Sequence, residues 1–180
     1  MDFNHFLTSY MPDPNIGSKI HFQNMIEQSI LAEKLGYKTV SIPEHHLINL
    51  LMMPSPLQMA VKIAALTKNI SVSTSVAVLP LHDMRTYAGE VSTADILTDG
   101  RLILGVARGA FPWEMERLGT PIEKSKEKFI ESLEVLQKLL AEEEVSYKGK
   151  YYNFDALTIM PRPITQPVPI MIAAMDPKSI

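Results

Sequence analysis

The run Arg101-Leu102-Ile103-Leu104-Gly105-Val106-Ala107-Arg108-Gly109 carries a short apolar stretch straight into an arginine flanked by glycine. Small residues let a backbone come close to a ligand, and a guanidinium fork matches the oxygens of a phosphate. The alternative use of Arg108 is a surface ion pair with Glu114 or Glu116. A second polar cluster, Glu44-His45-His46, also closes a strand-like run. Imidazole titrates near neutrality, so it suits proton transfer. Neighbouring residues on a strand point to opposite faces, which lets only one of His45 and His46 face a ligand pocket. Glu44, His45, His46 and His82 are also metal-ligand types. Zinc needs ligands that converge on one point, and adjacent histidines diverge, so the reading is of no metal site.

Composition narrows the classes. The chain of 180 residues is 46% hydrophobic and 21% charged, which is ordinary for a globular domain with a substantial core. A net charge of -3 with no basic stripe argues against nucleic acid as a partner. The absence of cysteine excludes a disulfide framework, a thiolate nucleophile and a Cys-ligated metal or iron–sulfur site. No signal-peptide pattern opens the chain and no apolar run reaches the roughly 20 residues of a membrane helix. The expected location is the cytoplasm.

These polar clusters need elements to carry them. Apolar residues 3–10 read as a first strand. Phe22, Met25, Ile26, Ile30 and Leu35 recur at helical spacing over 21–35, and Gly36 is placed to end that helix. Residues 38–42 are β-branched and read as strand two. Residues 58–67 read as helix and 70–79 as strand three. Asp83 is placed to cap a helix over 84–97 closed by Gly100, and 102–106 is strand four. Phe129, Leu133, Leu136 and Leu140 mark a long helix over 123–143. A hairpin over 145–154 turns near Gly149, and 169–174 is strand five. Asp176-Pro177-Lys178-Ser179 resembles the cap and first turn of another helix. Strands this continuously apolar, alternating with helices, predict a parallel sheet covered by helices, either doubly wound or a barrel.

Five ordered motifs resemble one family. They are Pro43-Glu44-His45-His46-Leu47, the run from Val76 to Asp83, Asp99-Gly100-Arg101-Leu102, Gly105-Val106-Ala107-Arg108-Gly109, and the run from Pro112 to Gly119. A late Pro161-Arg162-Pro163 follows. Together they resemble the N-terminal half of the bacterial luciferase-like flavin-dependent monooxygenases. The resemblance implies a (β/α)8 barrel of the TIM type, here incomplete, with about five of eight strands and a small β-hairpin insertion. Residues 1–180 are then a single barrel domain whose C-terminal part is missing.

The resemblance also implies roles. Arg108 contacts the phosphate of reduced flavin mononucleotide, or its deazaflavin counterpart. Ser179 and backbone amides after strand five hold the same phosphate. Asp176 departs from that pattern, because its carboxylate repels phosphate unless it turns away to cap a helix. Ser75–Val76 matches the position of a non-prolyl cis peptide beneath the flavin ring, and His45 stands by the flavin as proton donor or acceptor. Trp113, with Phe111 and Pro112, packs over the barrel mouth. Met52, Met53 and Met175 line either an apolar substrate region or the core.

The implied function is oxygenation of a small organic substrate by reduced flavin mononucleotide (FMN) and dioxygen, with the flavin supplied by a separate reductase. Two alternatives remain open: a deazaflavin (F420)-dependent hydride-transfer enzyme, or a non-catalytic flavin-binding fragment. Homo-oligomers are expected.

Overall fold

A computed structural model describes residues 1–174. Five strand positions form one parallel sheet. Strand β1 (Asn4–Phe6) pairs with β2 (Thr39–Ile42), which pairs with β3 (Ser71–Thr74). Strand β3 and the short β4 (Ala77–Val78) lie in succession along one edge of β5 (Leu102–Ala107), and β8 (Ile170–Ile172) lies along its other edge. All of these pairings are parallel, so every strand in the sheet ends at the same rim.

Helices cover the sheet between strands. Helix α1 (Ser18–Lys34) follows β1, α2 (Pro56–Ala64) follows β2, and α3 (Met84–Leu97) follows β4. The expected cap of α3 is present: the Asp83 carboxylate accepts the Arg85 N–H at 3.0 Å. Two helices follow β5: a single-turn α4 (Pro112–Arg117) and the long α5 (Ile122–Ala141). The antiparallel hairpin of β6 (Val145–Lys148) and β7 (Asn153–Leu157) packs on α5. Its turn is tied there by Glu131, whose carboxylate accepts the N–H groups of Lys150, Tyr151 and Tyr152. Val40, Val72, Leu102, Leu104 and Val106 from the sheet pack with Ile63, Val91, Leu136 and Leu139 from the helices, all fully buried.

Three elements differ from the sequence expectation. The first strand is shorter than residues 3–10. After Leu7 the chain leaves the sheet, and Tyr10 meets Leu51 in an isolated bridge instead. Helix α4 was not expected, although Pro112 at its first turn is a start signal. Strand three is broken. Ser73 faces Ile103 and Ala77 faces Val106, so four steps on one strand oppose three on the other. That extra residue is a bulge-like irregularity, and bulges bend a strand and re-aim its side chains. The Ser75–Val76 peptide within it is cis, as the resemblance implied.

Gly105 serves this break. A Cβ at residue 105 would overlap the carbonyl oxygen of Thr74, while the Thr74 hydroxyl donates to the Gly105 carbonyl at 2.7 Å. The close approach predicted for this glycine is therefore to a neighbouring strand. Gly105→Ala should destabilise the fold by about 1–3 kcal/mol, the range for overpacking a closed core. Urea unfolding checks this, and a variant as stable as the parent refutes it.

Candidate active site

The rim at the strand ends collects the polar residues. Pro43, Glu44, His45 and His46 leave β2, and Arg108 leaves β5, each within a few residues of its strand end. The sequence expectation that these two clusters share one rim follows from the parallel register.

His45 and His46 diverge. The His45 backbone N–H donates to the Met53 carbonyl at 2.9 Å, and its ring packs edge-on to Phe111 with centroids 5.3 Å apart. Its Nδ1 is buried without a hydrogen-bond partner among the described residues, and Glu114 Oε2 stands 3.7 Å away. That separation is ionic proximity, too long for a hydrogen bond. The other oxygen of Glu114 accepts the backbone N–H of His46. One buried carboxylate on α4 therefore secures the segment that carries both histidines. A cavity of about 630 Å³ opens beside His45, lined also by Phe22, Leu51 and Met52. Of the methionines expected in an apolar region, Met52 reaches this cavity and Met53 is core.

His46 turns the other way, to Glu44. Glu44 is 2% exposed. Its Oε1 accepts from His46 Nε2 at 2.5 Å and from His82 Nε2 at 2.7 Å, while Oε2 accepts the Val78 N–H at 2.9 Å. Burial alone would push this carboxyl up. The hydrogen bonds from both imidazoles and from Val78 outweigh it and hold the group at about 2. Its hydrogen bond to Glu44 raises His46. Sequence reasoning did not identify this role for Glu44 or His82. His82 is 38 residues away, and the sequence set it beside Glu44 only as a metal-ligand residue type.

Glu44, His46 and His82 also form a set whose ligand atoms all lie within 4.8 Å of one another. Convergence thus arises through His82, a geometry that the divergence of adjacent histidines did not anticipate. At these distances the three groups hydrogen-bond to one another. Ligands about 2.1 Å from a tetrahedral zinc sit roughly 3.4 Å from each other. The 2.5 and 2.7 Å separations here are too short for that.

Arg108 is exposed and makes no salt bridge among the described residues, so the ion pair with Glu114 or Glu116 is not formed. Gly109 beside it has φ +93°, and a Cβ there would press on Met115 and Val78. Trp113 is 39% exposed, packs near Phe111 and lies under the Arg117 guanidinium at 5.1 Å. Ser75 and Val76 are half-buried within the break between β3 and β4. Asp176, Ser179 and Met175 lie outside the described residues.

A parallel sheet covered by helices, with Arg108 and the Glu44–His46 run beyond its strand ends at one rim, has the barrel-type α/β arrangement. The chain belongs to the luciferase-like monooxygenase family, whose family model matches residues 1–180. A protein of Sinorhizobium fredii, y4vJ, is 34% identical over 181 residues, covering all of this chain and 52% of its own length. The oxygenase component of a flavin-dependent trigonelline monooxygenase from Acinetobacter baylyi is 31% identical over 161 residues, 88% of this chain and 44% of that protein. An F420-dependent glucose-6-phosphate dehydrogenase of Amycolatopsis mediterranei is 30% identical over 86% of this chain and 48% of its own. Among solved structures, monooxygenase RslO1 from Streptomyces bottropensis superposes with a TM-score of 0.91 at 27% identity, covering 97% of this chain and 54% of that one. The chain spans about half the length of the relatives it matches. No helix of the described residues is long and apolar enough to cross a membrane.

Glu44 has a pH consequence. Its carboxyl is held at about 2 in the fold against an ordinary 4.5. A lowered folded value gives stability that is complete above the ordinary range and is lost as pH falls toward 2. Glu44→Gln should therefore be less stable at neutral pH and lose less on acidification. Urea midpoints at neutrality and at about pH 3 measure this. Parallel declines in parent and variant would show that Glu44 carries no such share.

Proposed function

We propose that this chain supplies the flavin-binding and proton-handling rim of a luciferase-like monooxygenase that uses reduced FMN, dioxygen and a small organic substrate. The observation that carries the reading is the shared rim: parallel register brings the Arg108 and His45 segments to the same end of one sheet. The residues fit the cofactor. Arg108 is an exposed guanidinium with no carboxylate partner among the described residues, available to a phosphate. His45 lines a cavity and carries an unpartnered buried Nδ1.

In this reading Arg108 holds the phosphate and the Ser75–Val76 segment supports the ring, with Ser179 as a further phosphate-side contact. When bound, the reduced flavin supplies the electrons that activate dioxygen. His45 gives or takes a proton at its ring nitrogen, with Glu114 facing Nδ1 across 3.7 Å. Phe111, Trp113 and Met52 supply apolar surface that limits water at the rim. A flavin reductase is the expected partner and a second copy of the chain the expected associate, in the cytoplasm.

F420-dependent hydride transfer is the second reading, favoured by the Amycolatopsis relative. Oxygen uptake with reduced FMN decides between them. Uptake coupled to substrate oxygenation supports the first reading, and hydride transfer without uptake supports the second. Flavin binding with neither reaction identifies a non-catalytic binder.

Arg108→Ala should weaken FMN binding by about 10-fold to 100-fold, the worth of a charge-assisted hydrogen bond, while leaving riboflavin affinity nearly unchanged. Equal losses for both would remove Arg108 from the phosphate. His45→Ala should slow oxygenation about 100-fold or more with flavin affinity largely kept. Turnover at the parent rate would end that assignment.

A further inference from the structure

We propose that Glu44, His46 and His82 form a proton-storing site at the strand-end rim, separate from His45, in which Glu44 is the positioning residue. The geometry carries this. Glu44 is buried and accepts three hydrogen bonds, two of them on Oε1 from imidazole Nε2 atoms 2.5 and 2.7 Å away. An ionised carboxylate has no proton to donate, so both imidazoles must present Nε2–H to it. That fixes their tautomers and leaves each Nδ1 as the only ring position able to take another proton. No described residue hydrogen-bonds to either Nδ1, and the two side chains are 20% and 22% exposed.

Charge favours a first proton over a second. With both rings neutral, the cluster holds one buried negative charge and no compensating cation. One added proton makes an imidazolium against the carboxylate and neutralises the cluster. A second proton would place two cations on one carboxylate, with ring centroids 6.4 Å apart. Groups coupled this closely titrate as a pair in separated steps. The upward shift of His46, caused chiefly by the Glu44 hydrogen bond, agrees with the first step.

The surroundings do not cancel this. From α4, Glu114 adds negative charge near His46. From α3 and its cap, Tyr87 stacks on His82 with centroids 4.3 Å apart, and its buried hydroxyl is held above its ordinary range by burial first and then by Glu44 and Glu90. Asp83 is engaged with Arg85, and Lys128 of α5 faces Asp83. His45, on the same segment as His46, points away toward Phe111. The stored proton therefore sits on the outer side of the Glu44 contacts. Its use in flavin chemistry rests on the function proposed above, whereas its existence does not.

The test reads the imidazole nitrogens of the whole chain by long-range 1H–15N NMR between about pH 5 and 9, where histidine titrates. Five histidines are to be assigned. His46 should show Nε2–H below and above its transition, a midpoint above the ordinary value, and a two-step curve. Glu44→Gln should lower that midpoint by about one unit or more. His82→Gln keeps a donor to Glu44 but removes the second imidazole, so the His46 curve should collapse to one step. This variant carries the test if Glu44→Gln does not fold. A parent His46 curve with one step at the ordinary midpoint, or a curve that His82→Gln leaves unaltered, overturns the proposal. Because no flavin is present, neither result depends on the function reading. A failed oxygen-uptake assay with an intact two-step curve would reject only that reading.

Discussion

The rim depends on one buried anion. A carboxylate removed from water is costly unless hydrogen bonds replace its hydration, and one stripped of partners is worse than none at all. Glu44 meets that demand with three donors drawn from separate stretches: His46 just beyond it, Val78 in β4, and His82 ahead of α3. The requirement acts as a geometric constraint. The end of β2, the short β4 and the turn into α3 must come within hydrogen-bond reach of a single side chain. The broken third strand allows this, since the extra residue between Ser73 and Ala77 shifts the Val78 amide relative to β5.

A second carboxylate completes the division of labour. Glu114 is 3% exposed and reaches back from α4 to the β2 end, where it binds the His46 N–H and faces His45. The two histidines are therefore served by different acids. His46 belongs to the Glu44 cluster through its ring and to Glu114 through its backbone. His45 meets Glu114 only through space, and its ring rests on Phe111. Adjacent positions in sequence thus acquire distinct surroundings, which lets one ring face a cavity while its neighbour stores charge.

Periodicity revealed most of the architecture. The helices of α1, α3 and α5 follow from their apolar spacing and from Asp83 and Gly36, and the parallel sheet follows from strands too apolar to be half exposed. The rest depended on contacts that no local pattern encodes. The run from Ile70 to Leu79 is continuously β-forming, so nothing in it announces a break; the break is visible only against β5. Gly105 looked like a place for a ligand because close approach is what glycine permits, yet the approaching group is the Thr74 carbonyl. Glu44 beside two histidines read as a member of a divergent set, because its decisive partner His82 arrives from another strand-to-helix turn.

The same commitments explain why Arg108 has no carboxylate partner among the described residues. Its nearest acidic candidates in sequence are Glu114 and Glu116, and an exposed arginine next to a free carboxylate usually finds it. Glu114 is instead turned inward to the β2 segment and buried there. The exposed Glu116 makes no ion pair among the described residues, and the arginine of α4, Arg117, lies over Trp113 and donates to the Leu47 carbonyl. A guanidinium left without an internal carboxylate keeps its charge and its five donors for a ligand. The inward turn of Glu114 thus ties the His46 backbone to α4 and removes the acidic neighbour nearest to Arg108 in sequence.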